Sequence, residues 1–323
     1  MKSDMRRDIW VISCYSNPLR YRTRRNNFER FAASVTAQGG KLLVLEMAGP
    51  NDEFDLDEKA YRCIRLRGDG LIWQKERMLN LALRHLPVEC NKVVWADGDI
   101  LFESPDWIKL TADALERDVV VQPFEHCIRL PYGHVEYRGE SQENSGVTES
   151  FASCYKRDSS LTRFEVYANH GHTGFAWAAR RDFLEDCGLY EACVSGSGDH
   201  LMAHAFSGTL SSPCIAKMIG EGHAFARHFA RWAERADALC QGRLGFVPGR
   251  VLHLWHGSLG NRRYRARNQE LKELDFDPER DLRLDANGLL AWADSADHLR
   301  AWSTAFFKSR LEDDVEEAAG ATT

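Results

Sequence analysis

Short apolar runs alternate with helical periodicity through the first 125 residues of the chain. Residues 72–86 carry the clearest helical signal, because Ile72, Leu79, Leu83 and Leu86 recur on one face. The other apolar runs are short and continuous, as in strands that are buried on both sides. These apolar runs predict strands at 8–13, 41–47, 61–66, 92–95 and 118–122. The periodic segments predict helices at 24–35, at 72–86 and from Ser104-Pro105-Asp106 onward. This alternation indicates an α/β fold with a mainly parallel central sheet and helices on both faces.

Beyond residue 125 the pattern becomes less regular. Residues 125–169 are polar and only weakly periodic, which is typical of a functional loop. The later pattern predicts strands at 174–179 and 250–255 and helices at 181–186, 199–206, 224–239 and 302–311. We therefore predict one domain over residues 1–275, in which 125–169 is a lid or an acceptor-binding region. Residues 276–323 are predicted to form a C-terminal helical extension with a frayed tail.

The composition fits a globular protein and argues against other classes. Of the 323 residues, 44% are hydrophobic and 28% are charged, and the net charge is −6. A net acidic chain does not favour nucleic-acid binding as its main function, although local basic patches remain compatible with it. No apolar run approaches the ~18 residues of a membrane-spanning helix, and the start lacks the pattern of a signal peptide. The nine scattered cysteines form no CxxC pair, so we expect a reduced, cytoplasmic protein with no disulfide framework.

Asp97-Gly98-Asp99 is the first candidate for chemistry. The segment follows an apolar strand, and in open α/β sheets ligands bind outside the carboxyl ends of the strands. Two carboxylates in a tight turn can hold a hard divalent cation, and Gly98 permits close approach of a phosphate. An ordinary Asp-Gly turn is the alternative interpretation.

Two later segments add candidate groups. Asp199 follows the loop Gly196-Ser197-Gly198 at a predicted helix start, where the simple alternative is an N-cap. The segment HLWHGSLGNRRYRAR, residues 253–267, places His253 and His256 at a strand end, followed by several arginines. Imidazole is a ligand for transition metals and arginine suits phosphate, whereas a buried core histidine and a solvated basic face are the alternatives.

Taken together and in this order, the three segments resemble those of the GT-A glycosyltransferases, which transfer a sugar from a nucleotide-sugar donor. Asp97-Gly98-Asp99 resembles the DxD motif of that superfamily, and the resemblance covers roughly residues 8–275. It implies a Rossmann-like GT-A fold and a Mn²⁺ or Mg²⁺ ion held by Asp99 and Asp97. His256 resembles the C-terminal histidine that completes the metal site in the family, and His253 competes for that role.

The resemblance also implies a donor site and a general base. Residues 73–80, WQKERMLN, are similar to a helix that contacts the donor in the family, and the loop 15–25 lies where the nucleotide base is bound. The donor-binding residues implied for a UDP- or GDP-sugar are Asp97, Asp99, Trp73, Gln74, Arg77, Asn80, Tyr15, Arg262 and Arg263. Asp199 corresponds to the catalytic carboxylate of inverting members such as the β-1,4-galactosyltransferases and the polypeptide N-acetylgalactosaminyltransferases. The consecutive acids usual in that family are reduced here to one.

Several alternatives stay open at this level. A sugar-nucleotide pyrophosphorylase shares the fold class but expects a glycine-rich loop after the first strand. A zinc hydrolase could use His200 and His204, although Leu201 stands where the HExxH motif has its glutamate. A non-catalytic nucleic-acid-binding module would use the two arginine-rich segments. The acceptor is open as well: a glycan precursor, a protein, a small molecule or a hydroxymethylated DNA base. We expect residues 125–169 and 262–267 to become ordered when donor binds.

Overall fold

The computed structural model describes residues 9–57, 61–69, 71–139, 146–163 and 167–314. The frayed tail that we predict at the C-terminus and the first residue of the first predicted strand, Asp8, lie outside these ranges. No helix in the described ranges is long and apolar enough to cross a bilayer.

A seven-stranded sheet forms the centre of the molecule. Its strands are β1 (Ile9–Ser16), β2 (Leu42–Ala48), β3 (Arg62–Arg67), β4 (Lys92–Ala96), β6 (Val120–Gln122), β9 (Ala176–Arg180) and β10 (Leu244–Phe246). Their spatial order is β10-β6-β9-β4-β1-β2-β3. Only β9 runs antiparallel to its neighbours, β4 and β6. The predicted mainly parallel sheet is therefore confirmed.

A second sheet of four strands lies beyond the end of β4. It has the order β5-β11-β7-β8 and consists of β5 (Ile100–Phe102), β7 (His126–Arg129), β8 (Val147–Glu149) and β11 (Arg250–His253). The turn at residues 97–99 joins β4 of the central sheet to β5 of this smaller sheet. The predicted candidate turn thus lies at a junction of the two sheets.

Twelve α-helices surround the sheets within the described ranges. They are α1 (Arg22–Ala37), α2 (Lys75–Leu83), α3 (Trp107–Ala114), α4 (Phe151–Arg157), α5 (Tyr167–His170), α6 (Arg181–Cys187), α7 (Gly198–Phe206), α8 (Pro213–Ile219), α9 (Ala224–Cys240), α10 (Tyr264–Glu273), α11 (Pro278–Asp281) and α12 (Asp297–Lys308). Several of them differ from the sequence prediction at their ends, and the last helix spans residues 297–308 instead of 302–311. The second helix spans only residues 75–83 instead of 72–86, and the third begins at Trp107, after the Ser-Pro pair.

The central sheet has an apolar core on each face. Along β1, Ile12 packs into one core while Ile9 and Val11 pack into the other. Helices α1 and α3 supply the second core through residues such as Phe28 and Trp107. Helices α2, α7 and α9 lie on the first core. Because side chains alternate across a strand, both faces of this sheet are buried, as the continuous apolar runs predict.

Residues 125–169 contain more regular structure than the polar sequence predicts. Strands β7 and β8 and helices α4 and α5 all lie in this segment. The reason is long-range pairing, because β7 is parallel to β11, which lies more than a hundred residues later in the chain. Residues 140–145 and 164–166 of the same segment lie outside the described ranges.

The C-terminal extension is not purely helical. A hairpin of β12 (Leu282–Leu284) and β13 (Leu290–Trp292) precedes α12. Leu289, Trp292 and Leu299 belong to the same apolar core as the central sheet. The extension therefore contains helices α11 and α12 together with this hairpin, whose strands pair locally through a turn that the sequence pattern does not predict. The boundary at residue 275 stays a prediction.

Candidate functional site

The turn Asp97-Gly98-Asp99 is held tightly between the two sheets. The Asp97 backbone N–H donates to the Phe175 carbonyl at 2.7 Å, and the Leu254 N–H donates to the Asp99 carbonyl at 2.8 Å. Gly98 packs against the ring of Phe28, with which a Cβ atom would collide. A larger residue at this position would displace the turn, so glycine is required here by space.

Asp99 and the two late histidines converge at one point. Asp99 Oδ2 lies 2.8 Å from His256 Nε2 and 3.8 Å from His253 Nε2. The two imidazole Nε2 atoms are 3.1 Å apart, and the three side chains are a possible metal-binding group. From the sequence, His253 and His256 are alternative candidates for one role, whereas the structure brings both of them to Asp99.

The electrostatics of this group fit a cation. Burial lowers the pKa of His253 well below its usual value, so this imidazole is neutral near neutral pH. Burial also acts to raise the pKa of Asp99, but His256 outweighs it and holds the pKa below the usual range. Asp99 Oδ1 is buried and has no hydrogen-bond partner. An anionic oxygen without a donor, beside two imidazole nitrogens, is a donor set suited to a divalent ion.

Asp97 and Asp199 are joined by Lys75, which the sequence reading did not single out. Lys75 Nζ lies 3.0 Å from Asp97 Oδ1 and 2.5 Å from Asp199 Oδ2. Burial alone would lower the pKa of Lys75, but Asp199 and Asp97 outweigh it and raise the pKa well above its usual value. The ammonium group is therefore charged and offsets part of the negative charge of the site.

The same charges act on the neighbouring acids. Burial raises the pKa of Asp97 to about 6, and repulsion from Asp199 and Asp99 adds to this while Lys75 opposes it. Glu76 is 1% exposed and neither carboxyl oxygen has a hydrogen-bond partner. Burial raises its pKa to about 8. Glu76 packs against Gly198, where a Cβ atom would meet its carboxyl group.

Asp199 lies in the first turn of α7 and does not cap it. The N-cap of α7 is Ser197, which has a positive φ of 68°, and no side chain caps the helix. Instead, Asp199 is turned toward Lys75. The N-cap alternative for Asp199 is therefore wrong, and its carboxylate belongs to the same site as Asp97.

A row of stacked rings runs from the metal-binding group toward Asp199. His253 stacks on Phe175 with ring centroids 4.7 Å apart, and Phe175 stacks on His172 at 3.9 Å. Phe175 has a positive φ of 80°, a strained conformation that persists where surrounding contacts require it. Arg129 Nη2 lies 3.0 Å from His172 Nε2. Together these groups form one wall, which ends beside Asp199: a Cβ atom on Gly174 would lie 3.2 Å from the His172 ring and 3.7 Å from Asp199 Oδ2.

Basic residues also lie near the metal-binding group. Arg262 contacts His256 Nε2, so the structure brings this predicted residue to the site. Arg263 instead pairs with Glu270. Glu312 is a further group near this site, which no sequence motif indicates, and it is buried between Arg24 at 2.5 Å and Arg310 at 2.6 Å. Its Oε2 lies 3.8 Å from His256 Nδ1.

The predicted donor-contact residues of α2 and its approach are engaged within the protein. Arg77 Nη1 donates to Glu191 at 3.0 Å, and Asn80 Nδ2 donates to the Leu189 carbonyl at 2.9 Å. Gln74 is buried: its Nε2 donates to the Leu290 carbonyl, and its Oε1 accepts from the Leu290 backbone N–H. The Arg310 guanidinium lies 5.0 Å above the ring of Trp73. Contact of these side chains with a donor stays a prediction.

Tyr15 lies in a small pocket at the carboxyl ends of β1 and β2. Its hydroxyl donates to Asp55 Oδ2 at 3.0 Å, and Asn17 Nδ2 donates to the same oxygen at 3.1 Å. Asn17, Glu46 and Asp55 line this pocket together with Arg20. The pocket therefore offers both donors and acceptors at the edge where an α/β sheet binds ligands.

Comparison with known proteins gives matches of overall shape. No protein-family model and no curated protein sequence matches the chain. The chain is similar to glucosyl-3-phosphoglycerate synthase from Mycobacterium tuberculosis, solved with Mn²⁺, UDP and phosphoglyceric acid, with 14% identity, a TM-score of 0.43, and coverage of 88% of this chain and 86% of that chain. It is also similar to the catalytic domain of Drosophila β1,4-galactosyltransferase 7, with 9% identity, a TM-score of 0.40, and coverage of 91% of this chain and 98% of that chain.

A third similar structure is named for a different activity. It is 4-diphosphocytidyl-2C-methyl-D-erythritol synthase from Anaerococcus prevotii, with 12% identity, a TM-score of 0.34, and coverage of 75% and 88%. The first two structures belong to the GT-A glycosyltransferases, the class that the sequence resemblance names. Identities and TM-scores this low describe shape alone, so the activity has to be argued from the residues of the site.

Proposed function

We propose that this chain is a metal-dependent glycosyltransferase that moves a sugar from a nucleotide-sugar donor to an acceptor hydroxyl. The observation that supports this most strongly is the convergence of Asp99, His253 and His256 at the carboxyl end of β4. A second acid, Asp199, is held at the same site through Lys75. The site thus supplies both a cation-binding group and a separate carboxylate for proton transfer.

The proposed ion site consists of Asp99, His253 and His256, with Asp97 near enough in the chain to contribute through water. The unpartnered Asp99 Oδ1 supports the fit, and two imidazoles favour Mn²⁺ over Mg²⁺, which prefers oxygen ligands. When bound, such an ion supplies charge neutralisation for the diphosphate leaving group. Arg262, which contacts His256, adds a cation that can bind the same phosphate oxygens.

We assign the remaining donor contacts to the sheet edge. Asp97 is proposed to accept a hydrogen bond from a ribose hydroxyl, and the pocket of Tyr15, Asn17 and Asp55 is proposed to bind the nucleotide base. The Asp55 carboxylate and the Asn17 amide can pair with the polar edge of a base. We propose a UDP- or GDP-sugar as donor, consistent with the nucleotide-sugar chemistry of the resemblance.

Asp199 is the proposed general base. Lys75 contacts its Oδ2, so we assign the proton transfer to Oδ1. The acceptor hydroxyl would donate its proton to this oxygen while its own oxygen attacks the anomeric carbon from the face opposite the leaving group. A single displacement of this kind inverts the anomeric centre.

The acceptor is proposed to lie along the wall formed by His172 and Phe175, beside Arg129. A flat ring and a cation suit either a glycan precursor or a hydroxymethylated DNA base, and both remain part of the proposal. A cytoplasmic location is proposed from the many cysteines, none of which is disulfide-bonded in the described ranges.

The test of the proposed ion site is binding of UDP and GDP with and without Mn²⁺, in the wild type and in Asp99→Asn. The variant loses one anionic ligand, so we expect Mn²⁺-dependent nucleotide affinity to fall by at least about 10-fold, as metal sites do when a supporting group is removed. Titration calorimetry measures it. Asp294→Asn, which changes a 98% exposed side chain, is the matched control. Undiminished Mn²⁺-dependent binding in Asp99→Asn would remove this site from the proposal.

Product analysis separates the proposed reaction from the pyrophosphorylase alternative. A glycosyltransferase incubated with nucleotide sugar and acceptor releases a nucleoside diphosphate, whereas a pyrophosphorylase incubated with pyrophosphate releases a nucleoside triphosphate. The loop after β1 contains Asn17 and Pro18 and no glycine before α1, which disfavours the second reaction.

A further inference from the structure

Four further side chains that can ligate a metal meet around α7, and none of them belongs to the group of Asp99, His253 and His256. They are His170 at the end of α5, His200 and His204 on α7, and Cys214 on α8. Their ligand atoms all lie within 4.8 Å of one another. His200 and His204 are four residues apart and therefore share one face of the helix.

The three imidazoles contact one another in pairs. Ring centroids are 5.2 Å apart for His170 and His200, 5.3 Å for His170 and His204, and 5.0 Å for His200 and His204. Cys214 Sγ lies 3.6 Å from His170 Nε2. A tetrahedral zinc ion separates its nitrogen and sulfur ligands by about 3.3–3.6 Å, so this pair already has the required spacing.

The outer nitrogens of two rings are oriented by hydrogen bonds. His204 Nδ1 lies 2.8 Å from Thr209 Oγ1, and His170 Nδ1 lies 3.0 Å from the Gly171 carbonyl. Because a carbonyl only accepts, His170 Nδ1 carries the proton in this bond, and its Nε2 is then a lone-pair donor. Such outer bonds are the usual support of a metal-ligating histidine.

One ring nitrogen of the cluster is buried and lacks a partner. His204 is fully buried, and its Nε2 has no hydrogen-bond partner. A buried polar atom without a partner requires an explanation, and an ion that is missing from the structure is one. The unpartnered Nε2 belongs to the group of four ligand atoms, so a metal ion placed there would satisfy it.

We propose that His170, His200, His204 and Cys214 bind one Zn²⁺ ion in a closed, structural site. Three nitrogens and one sulfur fill the tetrahedral shell that zinc prefers, and no position is left for a substrate water. Binding removes the Sγ proton of Cys214 to solvent and forms one Zn–S and three Zn–N bonds. A hydrolytic role is disfavoured because Leu201 occupies the place of a general base.

The consequence of this site is positional. Zinc would join α5, α7 and α8, and His200 directly follows Asp199 on α7. The ion would thus fix the start of the helix that carries Asp199, while remaining separate from Asp99, His253 and His256. The proposal does not depend on the glycosyltransferase assignment, since a structural ion can support any reaction at Asp199.

The first test measures metal content in untagged full-length protein. We expect about one equivalent of zinc per chain by mass spectrometry of the metal, as a closed four-ligand site requires. An organomercurial that modifies thiols should release this zinc from the wild type. Cys214→Ser should lose the zinc, whereas Cys240→Ser, which changes a buried cysteine on α9 outside the cluster, should retain it. Wild-type protein that contains no zinc and takes up none would overturn the proposal.

The second test identifies the ligands by their spectrum. Co²⁺ bound in place of zinc should give thiolate charge-transfer and tetrahedral ligand-field bands, and both should persist in Asp99→Asn. Thr209→Val keeps all four ligands but removes the partner of His204, so we expect zinc affinity to fall by about 10–100-fold. Co²⁺ that shows no thiolate band, or that is lost on changing Asp99 rather than Cys214, would contradict the assignment. The release of zinc by an organomercurial is measured on the wild-type protein, so this test still applies if a variant fails to fold.

Discussion

At the scale of a single residue, Lys75 offsets the negative charge of the candidate site. It is the cation between Asp97 and Asp199, its side chain is 13% exposed, and its Nζ lies within 3.8 Å of Glu76 Oε1. Without it, three acidic groups would face one another in a buried setting. A buried charge that has lost its partner is far more costly than an exposed one.

We predict that Lys75→Met destabilises the protein by about 3–5 kcal/mol, the range typical of breaking a buried ion pair. Lys109→Met removes a surface pair with Asp113 and should cost less than about 1 kcal/mol. Urea unfolding measures both. Adding Asp199→Asn to Lys75→Met should recover part of the loss, and strict additivity of the two changes would contradict the coupling.

Asp199 gives the sharpest distinction between binding and chemistry. Asp199→Asn should lower turnover by 10²–10⁴-fold, which is about 3–5 kcal/mol in the barrier. Nucleotide affinity should barely change because the proposed ion is bound by other residues. Steady-state kinetics and calorimetry measure the two effects.

The matched control for Asp199→Asn is Asp182→Asn. Asp182 also lies in the first turn of a helix, α6, and is exposed. Turnover of Asp199→Asn within threefold of wild type, or an anomeric centre retained in the product by NMR, would remove Asp199 from the base role.

At the scale of elements, the first turn of helix α1 is stabilised by residues near the C-terminus. Its first turn has no acidic residue of its own. Asp313 instead accepts from the backbone N–H groups of Arg22 at 2.9 Å and Thr23 at 2.8 Å. The neighbouring Glu312 pairs with Arg24 of the same helix. The N-terminus of α1, which lies near the proposed donor site, is therefore stabilised by residues almost 300 positions away.

This contact predicts a pH dependence of stability. Burial acts to raise the pKa of Glu312, but Arg24 and Arg310 outweigh it and hold the pKa well below its usual value. A depressed folded-state pKa contributes stability above the unfolded value of about 4.3, and this is lost as pH falls through the folded value. The wild-type Tm should therefore fall in acid, and the Tm gap to Glu312→Gln should narrow as pH drops below about 4.

Thermal unfolding at a series of pH values measures this gap. Glu221→Gln, a change at an exposed side chain, should track the wild type throughout. A gap between wild type and Glu312→Gln that stays constant from neutral pH into acid would show that the charge of Glu312 is not the source of the stabilisation.

At the scale of the whole molecule, the C-terminal hairpin and the central sheet share one apolar core. Trp292 on β13 is fully buried in the cluster that contains Trp95 of β4 and Trp177 of β9. A hairpin of two short strands is not stable alone in water. We therefore expect residues 276–314 to unfold together with the rest of the described chain.

Trp292→Ala should cost about 3–5 kcal/mol, as large-to-small changes of buried tryptophan do, and unfolding should remain a single transition. Leu284→Ala on the same hairpin removes a side chain that is 52% exposed and should change stability by less than about 0.5 kcal/mol. Differential scanning calorimetry measures both. Two separate transitions, with only one shifted by Trp292→Ala, would instead support an independent C-terminal domain.

The predictable part of this protein is the part that local patterns control. Continuous apolar runs predicted β1, β2 and β4, because a strand buried on both faces needs apolar side chains on each. Helical periodicity predicted α2 and α9, because a helix that is buried on one face needs apolar side chains along that face. The Asp97-Gly98-Asp99 turn was predictable because its residue types favour a turn and its place after a strand favours a ligand site.

The remainder depends on contacts between distant segments, which no local pattern contains. Lys75 meets Asp199 across 124 positions, and β7 has its parallel partner, β11, more than a hundred residues later in the chain. Glu312 reaches Arg24 across 288 positions, and Cys214 meets His170 only after α5, α7 and α8 have packed together. Sheet topology and helix packing bring the members of each pair together. Burial then determines the charges of the titratable side chains among them, since water no longer screens these charges.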